Sequence, residues 1–211
     1  MAADFVRITV SSALSTQEKH KGVLTMNIMI VGVGGQGTLL TSRIIGKTAL
    51  AGGYDVKLSE VHGMAQRGGS VVTFVRFGKR VYEPVCEEGT VDVLISFERL
   101  EALRYAHFLK KDGVMIVNDT RIDPMTVVIG AAKYPENIIE NLEKEHKLYT
   151  IDAGKIAKEL GNSKVLNTVV LGLAAKHIGF DKAEWISVLQ ATVPQKTIEI
   201  NTKAFEKGYE A

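Results

Sequence analysis

The sequence has a single cysteine, Cys86, among its 211 residues. One thiol forms no internal disulfide, builds no thiolate zinc site and supplies no iron–sulfur cluster, which takes about four thiolates. Lying between Val85 and Glu87, it reads as an ordinary half-buried side chain rather than a nucleophile. Charge of one sign is also lacking: 26 Lys and Arg face 24 Asp and Glu, a net +2, too little to predict nucleic-acid or membrane binding by electrostatics. The longest apolar stretch, near Val169 to Ala175, is far shorter than the ~20 residues a bilayer needs. The first 25 residues lack the apolar core of a secretory signal and are poor in arginine, so a cytoplasmic location is expected. There is no internal repeat and no low-complexity tract.

What the chain does have suits one folded domain. Hydrophobic residues make up 45% and mean hydropathy is +0.07, above what disordered chains show. Residues 1–25 stand apart as a Ser/Thr-rich, flexible extension ending in Gln17-Glu18-Lys19-His20-Lys21-Gly22. It reads as a translated segment ahead of a start at Met26, the alternative being a targeting peptide. The domain proper is expected over 26–211.

Its organising feature is Gly32-Val33-Gly34-Gly35-Gln36-Gly37. The apolar run Ile28 to Val31 before it has the character of a strand buried on both faces. After it, Leu40, Ile44, Ile45 and Ala49 predict one side of a helix, with Ser42, Arg43 and Lys47 on the other and Gly52-Gly53 as its stop. Strand, glycines, helix is the opening of a doubly wound α/β domain. Glycine is required there by a tight turn, by close approach of a ligand or another backbone, and by helix-on-sheet packing. The N–H groups at the helix start form an anion site. The spacing Gly32-x-Gly34-x-x-Gly37, with Glu60 ending the next strand where a ribose-binding acid belongs, fits the dinucleotide fingerprint. The competing reading is that the glycines only let strand and helix pack.

Val56 to Glu60 predicts the second strand. A glycine-bearing loop, Val61 to Gly69, then leads into a strand over Ser70 to Phe77, and Gly78-Lys79-Arg80 turns it toward Val81-Tyr82-Glu83, an antiparallel hairpin. Arg76, Lys79 and Arg80 read as a guarded strand edge. The α/β rhythm resumes with a strand over Val91 to Ser96. A helix from about Glu98 to Lys110 follows, with Leu100, Leu103 and Phe108 inward and Gly113 as its stop, and then a strand over Val114 to Asn118. Thr126 to Ile129 is a possible strand between Pro124 and Pro135. Beyond it come a helix over Pro135 to Lys147, a short strand over Leu148 to Ile151, and helices over Ala153 to Leu160, Val165 to His177, Lys182 to Val193 and Thr197 to Tyr209. The expected fold is α/β, a Rossmann-like open sheet with an inserted β-hairpin and a helical C-terminal part.

The glycine turn, the run Glu60-Val61-His62-Gly63-Met64-Ala65-Gln66-Arg67-Gly68-Gly69 and the C-terminal Asn201-Thr202-Lys203-Ala204-Phe205-Glu206-Lys207-Gly208 together resemble the gamma domain of 2-oxoacid:ferredoxin oxidoreductases, especially its indolepyruvate-type members. The likeness covers about Asn27 to Tyr209, and Glu60 to Gly69 is its specific part. It implies a thiamine diphosphate enzyme that decarboxylates a 2-oxoacid, indolepyruvate or another aryl pyruvate. Electrons pass through iron–sulfur clusters to ferredoxin, and an acyl-coenzyme A is formed. This chain has no Gly-Asp-Gly segment followed by Asn for magnesium diphosphate, and one cysteine where clusters need several. The resemblance therefore places thiamine diphosphate, Mg and the clusters on a larger partner subunit, with no catalytic residue, no metal ligand and no activity expected of this chain alone.

What this chain is expected to add is anion binding. The donors of Gly34, Gly35, Gln36 and Gly37, with Gln66 and Arg67, would hold a coenzyme A phosphate or a loop of the partner. For Arg67 the plain alternative is an interface ion pair. His62 offers proton-shuttle chemistry with no partner visible in sequence. Glu60 reads as a strand-end anchor, and Asn167 as a cap or a buried hydrogen-bond pair rather than a ligand. Two other functions compete: a free-standing NAD- or ATP-binding enzyme of Rossmann type, and a structural adaptor with an empty glycine loop.

Overall fold

Ile28, Met29, Ile30 and Val31 have no polar side because both sides of their strand are covered. In the computed structural model, which describes residues 25–62 and 69–211, they lie in β1 (Thr25–Val33). The other strands are β2 (Asp55–His62), β3 (Ser70–Gly78), β4 (Val91–Ser96), β5 (Leu109–Asn118) and β6 (Lys147–Ile151). They form one six-stranded sheet in the order β2-β3-β1-β4-β5-β6. β1, β4, β5 and β6 run parallel, and β3 runs antiparallel to both β1 and β2. The proposed N-terminal arm up to Leu24, and Gln66 and Arg67 with the rest of 63–68, lie outside the described residues.

Alternation along the strands divides the core in two. Ile28, Ile30, Val75 and Phe77 point to one face, under α1 (Thr38–Ala51), α5 (Ala153–Glu159), α6 (Leu166–Ile178), α7 (Lys182–Thr192) and α8 (Ile198–Glu210). Met29, Val31, Val72 and Phe74 point to the other, under α2 (Arg99–Tyr105) and α4 (Ile138–Glu145). A short helix, α3 (Met125–Val128), follows the carboxyl end of β5. The heavier layer owes its closeness to two glycines. A Cβ on Gly208 would lie 1.9 Å from the Val169 carbonyl oxygen, and one on Gly172 2.1 Å from that of Phe205, so α6 and α8 touch backbone to backbone.

Several local expectations give way to tertiary context. The hairpin partner of β3 is β2, not Val81 to Glu83, which forms no strand. Arg76 accordingly guards no edge: its guanidinium donates to Asn27 Oδ1 and to the carbonyls of Glu83 and Val85, pinning that loop across the sheet. In place of a strand over Thr126 to Ile129 there is a helical turn, Met125–Val128, because the Pro124 carbonyl accepts from the N–H groups of Val127 and Val128. α2 ends at Tyr105, and Gly113 lies inside β5, at a register shift against β4. The buried positions of α2 are Glu101 and Ala102, with Leu103 outside, and Ser42 of α1 is buried, its hydroxyl donating to the Leu39 carbonyl. Cys86 is buried and its thiol is pushed up to about 11 by burial, which leaves it protonated and inert.

His177, in the last turn of α6, stacks on Tyr149 with ring centroids 4.4 Å apart, and its buried Nε2 has no hydrogen-bond partner among the described residues. Burial first, then the Lys147 and Lys176 charges, hold its pKa below the ordinary value. A group whose folded pKa is depressed binds fewer protons in the native state, so stability rises with pH across that window. Stability should be lost as pH falls through the ~6.5 of an unfolded chain. His177→Phe is expected to flatten the decline in unfolding temperature between about pH 7 and pH 5, measured by circular dichroism; an unchanged slope would refute this.

Candidate functional site

The carboxyl ends of β1, β4 and β5 meet at the glycine turn. Gly35 and Gly37 have left-handed φ values of +102° and +86°, the second at the N-cap of α1. Gly32 is required for a different reason: a Cβ there would lie 2.8 Å from Gln36 Oε1 and 3.0 Å from Phe97 Cβ. The Gln36 carboxamide closes the crevice between β1 and β4, its Oε1 accepting from the Val33 N–H at 2.7 Å and its Nε2 donating to the Phe97 carbonyl at 2.9 Å. Asn118 braces the same level, donating to the Phe97 carbonyl and the Thr120 hydroxyl while accepting from the Ala153 N–H.

Of the four backbone donors assigned to the turn, two are spent within the fold. The Gly34 N–H goes to the Gly69 carbonyl at 2.9 Å and that of Gln36 to the Val33 carbonyl at 3.2 Å. For Gly35 and Gly37, and for Thr38 to Leu40 in the first turn of α1, no described residue supplies an acceptor. α1 has no acidic residue in that turn and no side-chain cap, so nothing in its own first turn offsets its positive end.

Asn167 completes this corner. It is 6% exposed, and its Nδ2 lies 2.9 Å from where a Cβ on Gly37 would sit. Its neighbour Thr168 donates to Asn201 Oδ1 at 2.7 Å and Asn201 in turn to the Thr197 carbonyl at 2.8 Å, but the Asn167 carboxamide has no hydrogen bond within the described residues. Val165, not Asn167, is the N-cap of α6. A largely buried amide with no partner among the described residues, beside a helix start with no side-chain cap, is suited to an anionic or polar ligand. Only the packing of α6 against α1 brings the two together, and no sequence motif announces it.

Glu60 sits elsewhere. β3 separates β2 from β1, and Glu60, on the edge strand β2, accepts from Thr73 Oγ1 at 3.3 Å. In a dinucleotide site the acid-bearing strand flanks the first strand directly, so the ribose role has no geometric support. His62 closes β2.

On the opposite face of the sheet a cavity of about 350 Å³ opens beside the turn, lined by Val33, Ser70, Glu98, Glu101, Arg104 and Met125 among others. The Ser70 hydroxyl donates to Glu101, which also pairs with Arg104 at 3.2 Å. Glu98 is 1% exposed and fully engaged, accepting from the Glu101 N–H at 3.0 Å, the Ile122 N–H at 3.1 Å and the Tyr134 hydroxyl at 2.6 Å. Burial and the Glu98 carboxylate raise the Tyr134 pKa, keeping that hydroxyl a donor. These acids were not singled out from sequence, where Glu98 only began a helix.

Among the described residues no helix is long and apolar enough to cross a membrane. Residues 27–211 match the family model described as pyruvate ferredoxin/flavodoxin oxidoreductase. The indolepyruvate oxidoreductase subunit IorB of Thermococcus kodakarensis is 44% identical over 191 residues, covering 88% of this chain and 95% of that protein. The gamma subunit of a keto/oxoacid ferredoxin oxidoreductase from Geobacter sulfurreducens has the same fold, at TM-score 0.66 and 24% identity over 88% of this chain and 96% of that one. A 2-oxoglutarate:ferredoxin oxidoreductase from Magnetococcus marinus, solved with 2-oxoglutarate, coenzyme A and succinyl-CoA bound, matches at TM-score 0.65 and 20% identity. That match covers 89% of this chain and 31% of the longer one. The chain belongs to the pyruvate ferredoxin/flavodoxin oxidoreductase family, as a small subunit of a 2-oxoacid oxidoreductase complex.

Proposed function

We propose that this chain serves an indolepyruvate:ferredoxin oxidoreductase by holding a phosphate of coenzyme A at the glycine turn and by completing the assembly around a larger subunit. That subunit would carry thiamine diphosphate, Mg and the iron–sulfur clusters, with ferredoxin as electron acceptor of the cytoplasmic complex. When bound there, thiamine diphosphate supplies the carbanion chemistry of 2-oxoacid decarboxylation. The observation that carries the reading is the corner where the N–H groups of Gly35 and Gly37, without acceptors among the described residues, the start of α1 and the largely buried Asn167 carboxamide converge. An anion at such a helix start gains about 0.3–2 kcal/mol. Coenzyme A is a chemically matched occupant, the Magnetococcus enzyme having been solved with it, and relatives at 42–44% identity are indolepyruvate oxidoreductase subunits by name. Gln66 and Arg67 are proposed to add a planar amide and a forked cation to the same phosphate.

In the assembled enzyme, Asn167→Asp sets a carboxylate against the phosphate and Arg67→Ala removes its counter-charge. Each is expected to raise the KM for coenzyme A about tenfold, ~1.4 kcal/mol, with the KM for the 2-oxoacid unmoved. Unchanged coenzyme A dependence in both variants would refute the role.

A further inference from the structure

Three of the most exposed large apolar side chains among the described residues are close together in sequence at the carboxyl edge of the sheet. Met125, Val128 and Ile129 are 71%, 66% and 68% exposed and fall within five residues of one another. Leu39, in the first turn of α1, and Val61, at the carboxyl end of β2, are exposed at the same edge of the sheet. Met125 and Thr126 share with Val33, the last residue of β1, the lining of the cavity beside the glycine turn. The apolar tip and the glycine turn thus lie at the same carboxyl edge of the sheet, joined through Val33.

The tip is hydrogen-bonded within itself. Within it the N–H groups of Val127, Val128, Ile129, Gly130 and Ala132 find acceptors in the Pro124 to Val127 stretch. Its base is held on buried Glu98 through the Ile122 N–H and the Tyr134 hydroxyl, and the Arg121 guanidinium lies 4.3 Å over the Tyr134 ring. A rigid apolar projection loses little conformational freedom when it docks. Around it Arg121, Asp123, Lys133 and Glu136 are exposed, giving an apolar centre with a charged rim of both signs, as in a specific protein interface.

We infer that the Met125–Ile129 tip is a docking knob seated in an apolar recess of the larger, thiamine-bearing subunit. Two observations select this occupant. The chain is a subunit by family, so a permanent partner exists. A coenzyme A whose phosphate sits on the glycine turn reacts on that partner, which must then cover this same edge. The inference takes that direction from the proposed function. The acids Asp123 and Glu136 in the rim oppose an anionic lipid surface.

The test co-expresses the full chain with its larger subunit and compares Val128→Asp/Ile129→Asp with Leu50→Asp, an exposed apolar position at the far end of α1. The knob variant is expected to bind the larger subunit at least tenfold more weakly, read by size-exclusion co-elution and titration, with its unfolding temperature unchanged. Leu50→Asp should bind as wild type. Met125→Asp, at a separate position, should repeat the loss if the double variant folds poorly. Undiminished association, equal loss in Leu50→Asp, or loss only of self-association or of vesicle binding would each overturn the docking role. Weakened association in the knob variant, with coenzyme A dependence insensitive to Asn167 and Arg67, would uphold the knob and refute only the phosphate site.

Discussion

Gly208→Ala is expected to leave little folded protein at room temperature. Helix propensity alone predicts the reverse, since alanine in a helix interior is favoured over glycine by about 1 kcal/mol. The added methyl, however, would sit 1.9 Å from the Val169 carbonyl oxygen and 2.8 Å from its carbon. Backbone atoms cannot turn aside as a side chain can, so α8 must move away from α6. That movement loosens Phe205, Trp185 and Val169, all fully buried in the larger core. Overpacking of a core costs about 1–3 kcal/mol where side chains can yield, and here more, against a total stability of about 5–15 kcal/mol. Gly172→Ala meets the Phe205 carbonyl at 2.1 Å and should behave alike. Because one separation of the two helices relieves both clashes, the double variant should cost less than the sum of the singles. Denaturant unfolding monitored by Trp185 fluorescence measures all three; a stabilised single variant would show that the helices do not touch as described.

Glu98→Ala is the second large expectation. One carboxylate at 1% exposure serves the Glu101 N–H that caps α2, the Ile122 N–H and the Tyr134 hydroxyl. Its removal orphans three donors at about 1–3 kcal/mol each, partly offset by water entering the adjoining cavity. A net loss of about 3 kcal/mol in unfolding free energy is expected. The effect should also be local: amide exchange should accelerate over Ile122 to Tyr134 more than in β1 or α6. Uniform acceleration across the chain would mean that Glu98 supports the core and not the tip.

The parts of the fold legible in the sequence were those set by short-range chemistry. The glycine turn announced itself because left-handed backbone at Gly35 and Gly37 and close approach at Gly32 leave no other residue type. α6 was legible because burial all round leaves an apolar sequence all round. Where long-range pairing decided, the sequence misled. Gly78-Lys79-Arg80 looked like a hairpin turn, yet β3 had already taken β1 and β2 as its two neighbours, and no sheet edge remained for Val81 to Glu83. Thr126 to Ile129 looked extended from its β-branched residues, but a proline turn and solvent on most sides made one helical turn sufficient. In the candidate site the glycine turn was visible, but the spending of the Gly34 and Gln36 donors within the fold was not, and neither was the place of Asn167 beside Gly37, which joins residues 130 positions apart through helix packing alone.

The contact between Gly172 and Gly208 also has a bearing on biosynthesis. The helix that seals α6 lies C-terminal to it and so leaves the ribosome after it. At roughly 5–20 residues per second, a nascent chain carries the apolar flank of α6 uncovered for seconds before its lid is made. During that interval it is a client for chaperones, and premature termination within α8 would release a product that the cell degrades rather than assembles.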